Sequence, residues 1–247
     1  MMAKLRRRAD ELLVARALAD DLRRAQALIL AGHVVAGERR VDKPGQPLAE
    51  DVPLRLTGLK HGRYVSRGGD KLQSALEVLN IQVDGASCLD LGASTGGFCD
   101  CLLQHGAARV LAVDVGYGLL ADKLRQDPRI TQRERTHVRD LRRESLEFPV
   151  DLVTADLSFI ALQPLVAGIL GLVEPGGRLL LMVKPQFEAQ RGEVGEGGVV
   201  RDDGLRRELV QRVVGEALRC GAELLGQADS QVAGPAGNRE VFVLLRR

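Results

Sequence analysis

Four ionisable side chains stand where apolar runs begin or end. Asp156 follows VDLVTA, Lys184 follows RLLLMV, Glu240 opens REVFVLL just after Asn238, and Lys71 sits in SRGGDKL. One charged residue at a strand end is unremarkable; four delivered to the same sheet edge make a reactive site. A lysine there can take a proton or hold a developing alkoxide. Carboxylates beside it fix its position and also favour its charged form, and the sequence leaves open which effect prevails. A second element is the run DLGASTGGF at 90–98, which supplies Asp90, Gly92, Ser94, Thr95, Gly96, Gly97 and Phe98. Glycines between a strand and a helix let a ligand approach the backbone closely. The run is not the dinucleotide fingerprint G-x-G-x-x-G, and it lacks the lysine of a phosphate-binding loop. Asp114 closes the next apolar run, where a carboxylate can accept both hydroxyls of a ribose. An acid at each of two strand ends fits an adenosine ligand without a pyrophosphate. S-adenosylmethionine matches, with Asp90 supplying negative potential near its positive charge.

These residues need a scaffold. SCLDLG (87–92), ARVLAVDVG (108–116), PVDLVTADLS (149–158) and RLLLMVKPQ (178–186) read as short buried strands. Amphipathic helices are predicted over 70–80, 95–106, 161–173 and 203–220. Such alternation means a parallel α/β sheet with helices on both faces. AELLGQADS and REVFVLLRR, joined near the Gly-Pro turn at 234–237, read as an antiparallel hairpin at its edge. The glycine-rich segment 185–203 shows no regular pattern and reads as a lid over the strand ends. In front of this sheet lies a compact α+β unit. It has two short helices, 8–17 and 21–31, with Asp20 or Asp21 capping the second, then strand-like pieces punctuated by glycine and proline. Residues 58–67 look like a hinge.

The charge is uneven. The chain carries +2 overall, but residues 1–67 hold 14 Lys and Arg against 8 acids, a surplus of +6 that leaves −4 for the rest. A basic front unit points to a polyanionic partner. With no Trp, two Tyr and five Phe in 247 residues, a surface that works mainly by stacking bases is disfavoured. Cys88, Cys99, Cys101 and Cys220 form no C-x-x-C and no zinc spacing, and read as reduced cytosolic thiols. His33, His61, His105 and His137 give no triad or ligand spacing and read as surface or helix-end residues. No apolar stretch follows the basic start, and Leu162–Val173 is too short to span a bilayer.

The ordered set SRGGDKL, LDLGASTGGF, AVDVG, ADLSFI, LMVKPQFE, GGVVRD and GNREVF resembles the TlyA family of ribosomal-RNA 2′-O-methyltransferases, whose members were often labelled haemolysins. The match runs nearly the full chain. It implies a seven-stranded, Rossmann-like, FtsJ-type methyltransferase domain over 68–247, a linker over 61–67, and a small S4-like RNA-binding domain over 1–60. The family's Lys-Asp-Lys-Glu tetrad falls on Lys71, Asp156, Lys184 and Glu240, its glycine turn on Gly92 to Gly97, and its ribose acid on Asp114. The implied reaction needs no metal: a ribose 2′-oxygen of ribosomal RNA, with cytidine the expected nucleotide, takes the methyl group of S-adenosylmethionine. Lys184 would act on the 2′-hydroxyl, Asp156 and Lys71 would orient it, and Glu240 would complete the network. Arg6, Arg8, Arg23, Arg24, Arg39, Arg40, Lys43 and Arg67 would meet RNA phosphates, and the linker would couple docking to the methyl-donor pocket. Two departures stand out. THVRDL carries Thr136-His137 where an Asn is expected, so Asp140 is a weaker adenine contact, and VVAGERRV lacks the usual Asn before its glycine. Membrane lysis and a noncatalytic RNA-binding role are the competing classes. The first lacks a spanning segment; the second leaves a filled tetrad unexplained.

Overall fold

The computed structural model describes residues 6–16, 18, 19, 21–57, 63–190, 192–195, 198–232, 234 and 237–247. The hinge glycine at 58, Ala17, Asp20, His61 and Gly197 lie outside the described residues. In the front unit, β1 (Arg6–Arg8) runs into α1 (Ala9–Ala15) and then α2 (Leu22–Leu30). Asp21 caps α2, its carboxylate accepting the Arg24 N–H at 2.7 Å. Next come β2 (Val34–Ala36), β3 (Arg39–Arg40), β4 (Pro47–Ala49) and β5 (Leu54–Leu56). β1 pairs with β4, and β2 lies between β3 and β5. Leu12, Leu13, Leu28, Ile29, Val34 and Val41 form a core of their own beneath them. His33 corrects the sequence reading: it is buried, with its ring Nδ1 3.0 Å from the Thr57 carbonyl.

The larger unit starts with α3 (Arg67–Val78). This helix begins three residues before the pattern places it, because Ser66 caps it through the Gly68 N–H, and Arg67 is therefore helical rather than part of a hinge. Then follow β6 (Ser87–Leu91), α4 (Gly97–Gln104), β7 (Arg109–Val113), α5 (Asp122–Arg125) and β8 (Ile130–Arg133). The second half holds β9 (Leu152–Ala155), α6 (Val166–Leu172), β10 (Arg178–Val183), α7 (Pro185–Glu188), α8 (Asp203–Arg219), β11 (Glu223–Asp229) and β12 (Val241–Arg246). The seven strands run in the order β11-β12-β10-β9-β6-β7-β8. β10, β9, β6, β7 and β8 are mutually parallel, and β12 is antiparallel to both its neighbours. The last two strands are thus an antiparallel pair, but β12 lies inside the sheet and only β11 is an edge. β8, not marked by any apolar run, reads ITQR and forms the opposite edge.

β6, β9 and almost all of β10 are buried along their whole length, as parallel strands covered on both faces must be. One face packs on α6 and α8 through Leu89, Leu111, Ile169, Leu181 and Val213. The other packs on α3 and α4 through Leu72, Leu102, Val110, Met182 and Phe242. Two apolar layers around the central strands hold their ends rigidly, which a site built on those ends requires. Segment 185–203 is less irregular than its glycines indicate: it opens with the single turn of α7, and Gly195 bridges Val199.

Candidate active site

Strand order reverses between β6 and β9. Chain-successive strands leave this point in opposite directions, opening a crevice at their carboxyl ends. Gly92 leaves β6 there with φ +85°, and a Cβ on it would come within 2.8 Å of the Asp156 carbonyl oxygen. Only glycine lets the turn pass so close to the residue that ends β9. The turn continues through Ser94, at φ +48°, to Gly96, which begins α4. Ser94 donates its N–H to the Asp114 carboxylate at 2.8 Å, and Gly116 donates to the other oxygen at 2.6 Å. Asp114 is thereby fixed at the mouth of a cleft lined by Ala93, Ser94, Gly116, Leu119 and Glu134. Glu134 follows β8 and accepts the Gly118 N–H at 2.5 Å; sequence reasoning missed it along with its strand. Thr95 is buried, and Phe98 packs its ring 6.2 Å from that of Phe242.

Asp90 and Asp140 do not join this cleft. Asp90 is fully buried in β6, accepting the Thr154 hydroxyl at 2.9 Å and the Cys99 thiol at 3.1 Å. It faces the core rather than a ligand's charge. Burial pushes its carboxyl up from 3.8 to about 7, against the two hydrogen bonds and with the help of Asp156 and Asp114. The folded protein therefore holds this proton up to about pH 7, the unfolded chain only to about pH 4. The stability this provides is full below pH 4 and is lost as pH rises through about 7. Asp90→Asn keeps a neutral group of the same shape. It should flatten that dependence and raise stability at pH 8 by about 2–4 kcal/mol. Urea denaturation at pH 5 and pH 8 checks this; an unchanged slope with pH would refute it. Asp140 is exposed in a short 3-10 turn.

The four tetrad residues form two ion pairs. Lys71 Nζ meets Glu240 Oε2 at 2.5 Å, with Glu240 1% exposed. Lys184 Nζ lies 2.5 Å from Asp156 Oδ1 and 2.7 Å from Ser158 Oγ. The register explains the convergence. Val183, at the carboxyl end of β10, pairs with Val241 at the start of antiparallel β12, so Lys184 and Glu240 emerge from adjacent strands at one edge. Asp156 follows β9 on the other side of β10, and its N–H donates to Leu91 beside the glycine turn. Asn238 is buried next to Glu240 and ties down the segment 198–200, accepting the Val200 N–H and donating to the Gly198 carbonyl, both at 2.9 Å. The expected lid is thus latched to the strand that carries Glu240. Phe159 is 75% exposed, with φ +66°, and tilts against Phe187 at 5.4 Å. An exposed aromatic in a left-handed backbone conformation beside the tetrad is a functional signal that the sequence pattern does not carry.

The basic residues spread over the front unit. Arg6, Arg23, Arg24, Arg39, Lys43 and Arg67 are exposed. Arg8 is exposed too, but its guanidinium is spent on Asp10 at 2.7 Å. Arg40 is partly buried, 3.6 Å from Asp42. Burial lowers the His33 imidazole's proton affinity, against the hydrogen bond with Thr57, and the charges of Arg67, Arg40 and Arg24 act in the same direction as burial. The Arg23 and Arg135 guanidiniums lie over the Tyr117 ring at 4.4 and 4.5 Å, joining α2 to the loop beyond Asp114. The linker's described end packs on the glycine turn. Val65 donates its N–H to Asp100 in α4 at 2.8 Å, and a Cβ on Gly97 would meet Ser66 Oγ at 2.2 Å.

Comparison with known proteins agrees with this layout. The family description "FtsJ-like methyltransferase" matches residues 64–247. The chain is 44% identical over 241 residues to the 16S/23S rRNA (cytidine-2′-O)-methyltransferase TlyA of Mycobacterium tuberculosis, covering 98% of this chain and 90% of that one. The chain belongs to the TlyA family of FtsJ-like methyltransferases. Hemolysin A of Brachyspira hyodysenteriae is another relative, 35% identical over 94% of this chain and 97% of its own. A solved protein from Streptococcus thermophilus, provisionally called a hemolysin, superposes with TM-score 0.74 and 37% identity over 99% of this chain and 90% of its own. The TlyA family thus carries both labels. Among the described residues no helix is long and apolar enough to cross a membrane.

Proposed function

We propose that this chain transfers a methyl group from S-adenosylmethionine to the 2′-oxygen of a cytidine ribose in 16S or 23S ribosomal RNA. The observation that carries the reading is the placement of Lys184, held by Asp156 and Ser158, at the crevice edge shared with the glycine turn. The methyl donor fits the residues present. Gly92 leaves a cradle that a side chain would fill, and Asp114 offers acceptor oxygens already aligned by Ser94 and Gly116 for ribose hydroxyls. When bound, S-adenosylmethionine supplies a methyl group already activated by its sulfonium. The protein's task is then to position the acceptor oxygen and manage its proton. Lys184 donates a hydrogen bond to the 2′-oxygen or takes its proton, and Asp156 holds the lysine by its charge. The Lys71–Glu240 pair fixes the far side of the edge. Phe159 offers the face on which the target base rests once it leaves its stack.

We read residues 1–60 as the S4-like RNA-binding unit, 61–67 as linker and 68–247 as the methyltransferase domain. A separate core beneath the front unit and a family match that begins at residue 64 support this division. Arg6, Arg23, Arg24, Arg39, Arg40, Lys43 and Arg67 are read as phosphate contacts that give position rather than sequence readout. Four free cysteines and a ribosomal substrate favour the cytoplasm. Binding to ribosomal RNA should weaken steeply with salt, and Arg39→Ala or Lys43→Ala should each lower the log–log slope by about 1. Filter binding across a salt series checks this, and salt-independent retention would refute it. The activity itself is tested with labelled S-adenosylmethionine, each ribosomal subunit, and naked RNA. Label is expected at one position that resists alkaline cleavage. No label in any of these, with the methyl donor bound, would contradict the proposal.

A further inference from the structure

We infer that Ser158 is a positioning residue for methyl transfer, setting the direction of the Lys184 amine. The inference rests on the reading of Lys184 given above. Lys184 has two partners, and they do different work. Its contact with Asp156 is a close ion pair without hydrogen-bond alignment: Asp156 Oδ1 is buried and has no hydrogen-bond partner. Its aligned hydrogen bond goes to Ser158 Oγ at 2.7 Å. An ion pair draws the amine close but tolerates rotation about the Cε–Nζ bond; a directed hydrogen bond does not. An amine has three directions besides its own carbon. Ser158 takes one, and the unaligned contact with Asp156 leaves another for a 2′-oxygen, whether the amine offers it a proton or a lone pair.

The serine can serve this way because its loop is anchored to the same element as the lysine. α7 starts directly after Lys184 and ends at Glu188. The half-buried Glu188 carboxylate accepts the Leu162 N–H at 2.5 Å and the Gln163 N–H at 3.3 Å, tying the far end of the loop back to α7. Phe159 and Phe187 tilt together between these points. Ser158 itself is exposed, so it fills no core space and its hydroxyl is not needed to satisfy a buried group elsewhere.

The test compares the full-length protein with Ser158→Ala, Ser158→Thr and Lys184→Ala in methyl transfer to ribosomal subunits. Ser158→Ala is expected to lower kcat by about 10- to 30-fold, the size of one charge-assisted hydrogen bond. KM for RNA and affinity for S-adenosylmethionine should stay within about twofold, and melting should be unchanged. Ser158→Thr keeps the hydroxyl and should restore most of kcat. If Ser158→Ala keeps full kcat while Lys184→Ala is inactive, the role of Ser158 is overturned and the reading of Lys184 stands. If Ser158→Ala raises KM with kcat intact, or threonine fails to rescue, the serine serves loop packing and the inference is wrong. If Lys184→Ala itself keeps activity, the reading of the site falls, and this inference with it.

Discussion

Lys184→Ala lowers methyl transfer by about 10²–10⁴-fold, with the fold and the methyl-donor site intact. This magnitude follows from the loss of a positioned proton-handling group. The variant should fold because the lysine anchors no core. Among the described residues its polar partners are Asp156 and Ser158, and its amine lies 5.9 Å from the centre of the Phe187 ring. Asp114, Ser94 and the turn from Gly92 to Gly97 make no contact through it, so calorimetric affinity for S-adenosylmethionine should be unchanged. Lys184→Arg should remain poor, since a planar fork cannot reproduce the tetrahedral arrangement of one amine between two partners. Single-turnover assays on the same RNA check both variants. Activity within tenfold of the parent in Lys184→Ala would show that the reacting oxygen lies elsewhere.

Glu240→Ala costs about 3–5 kcal/mol of stability and also abolishes turnover. The pair it breaks differs from the Lys184 pair in its carboxylate: the two lysines are buried alike, but the Glu240 side chain is 1% exposed and that of Asp156 24%. Removing the carboxylate strands an ammonium group inside the protein, and the cost is mainly that uncompensated charge. Gly234 lies close over the site: a Cβ there would come within 2.8 Å of Glu240 Oε1. The double variant Lys71→Met with Glu240→Leu removes both charges and should recover most of the stability without recovering activity. Urea denaturation of the single and double variants makes the comparison. A loss below about 1 kcal/mol in Glu240→Ala would mean that the pair is solvated and only weakly coupled.

The central sheet was legible because its strands are fully buried. SCLDL, LVTA and RLLLMV can hardly be anything but strands covered on both faces; the first delivers the glycine turn to the crevice, and the other two deliver Asp156 and Lys184 to its edge. β8 escaped for the opposite reason: it is an edge strand with a single apolar residue, and Glu134 escaped with it. Asp90 was misplaced because a strand pattern does not show which way a buried acid faces. Its true partners, Cys99 and Thr154, lie 9 and 64 residues away. Ser158 and Phe159 were hidden for a related reason. Nothing within ADLSFI says that its serine meets a lysine 26 residues later, or that its phenylalanine is mostly exposed and tilts against Phe187. The family resemblance supplied the tetrad as a set. The structure adds that the set divides into one buried pair with a structural burden and one crevice pair directed by a hydroxyl.

The most direct test of the central claim is the chemical position of the transferred methyl group. Ribosomal RNA would be incubated with the protein and S-adenosylmethionine carrying a heavy-isotope methyl, digested to nucleosides and analysed by mass spectrometry. The expected product is cytidine bearing the heavy methyl on its ribose 2′-oxygen, absent when Lys184→Ala replaces the parent protein. A heavy methyl found on a base, or on ribose at equal levels with Lys184→Ala, would contradict the account.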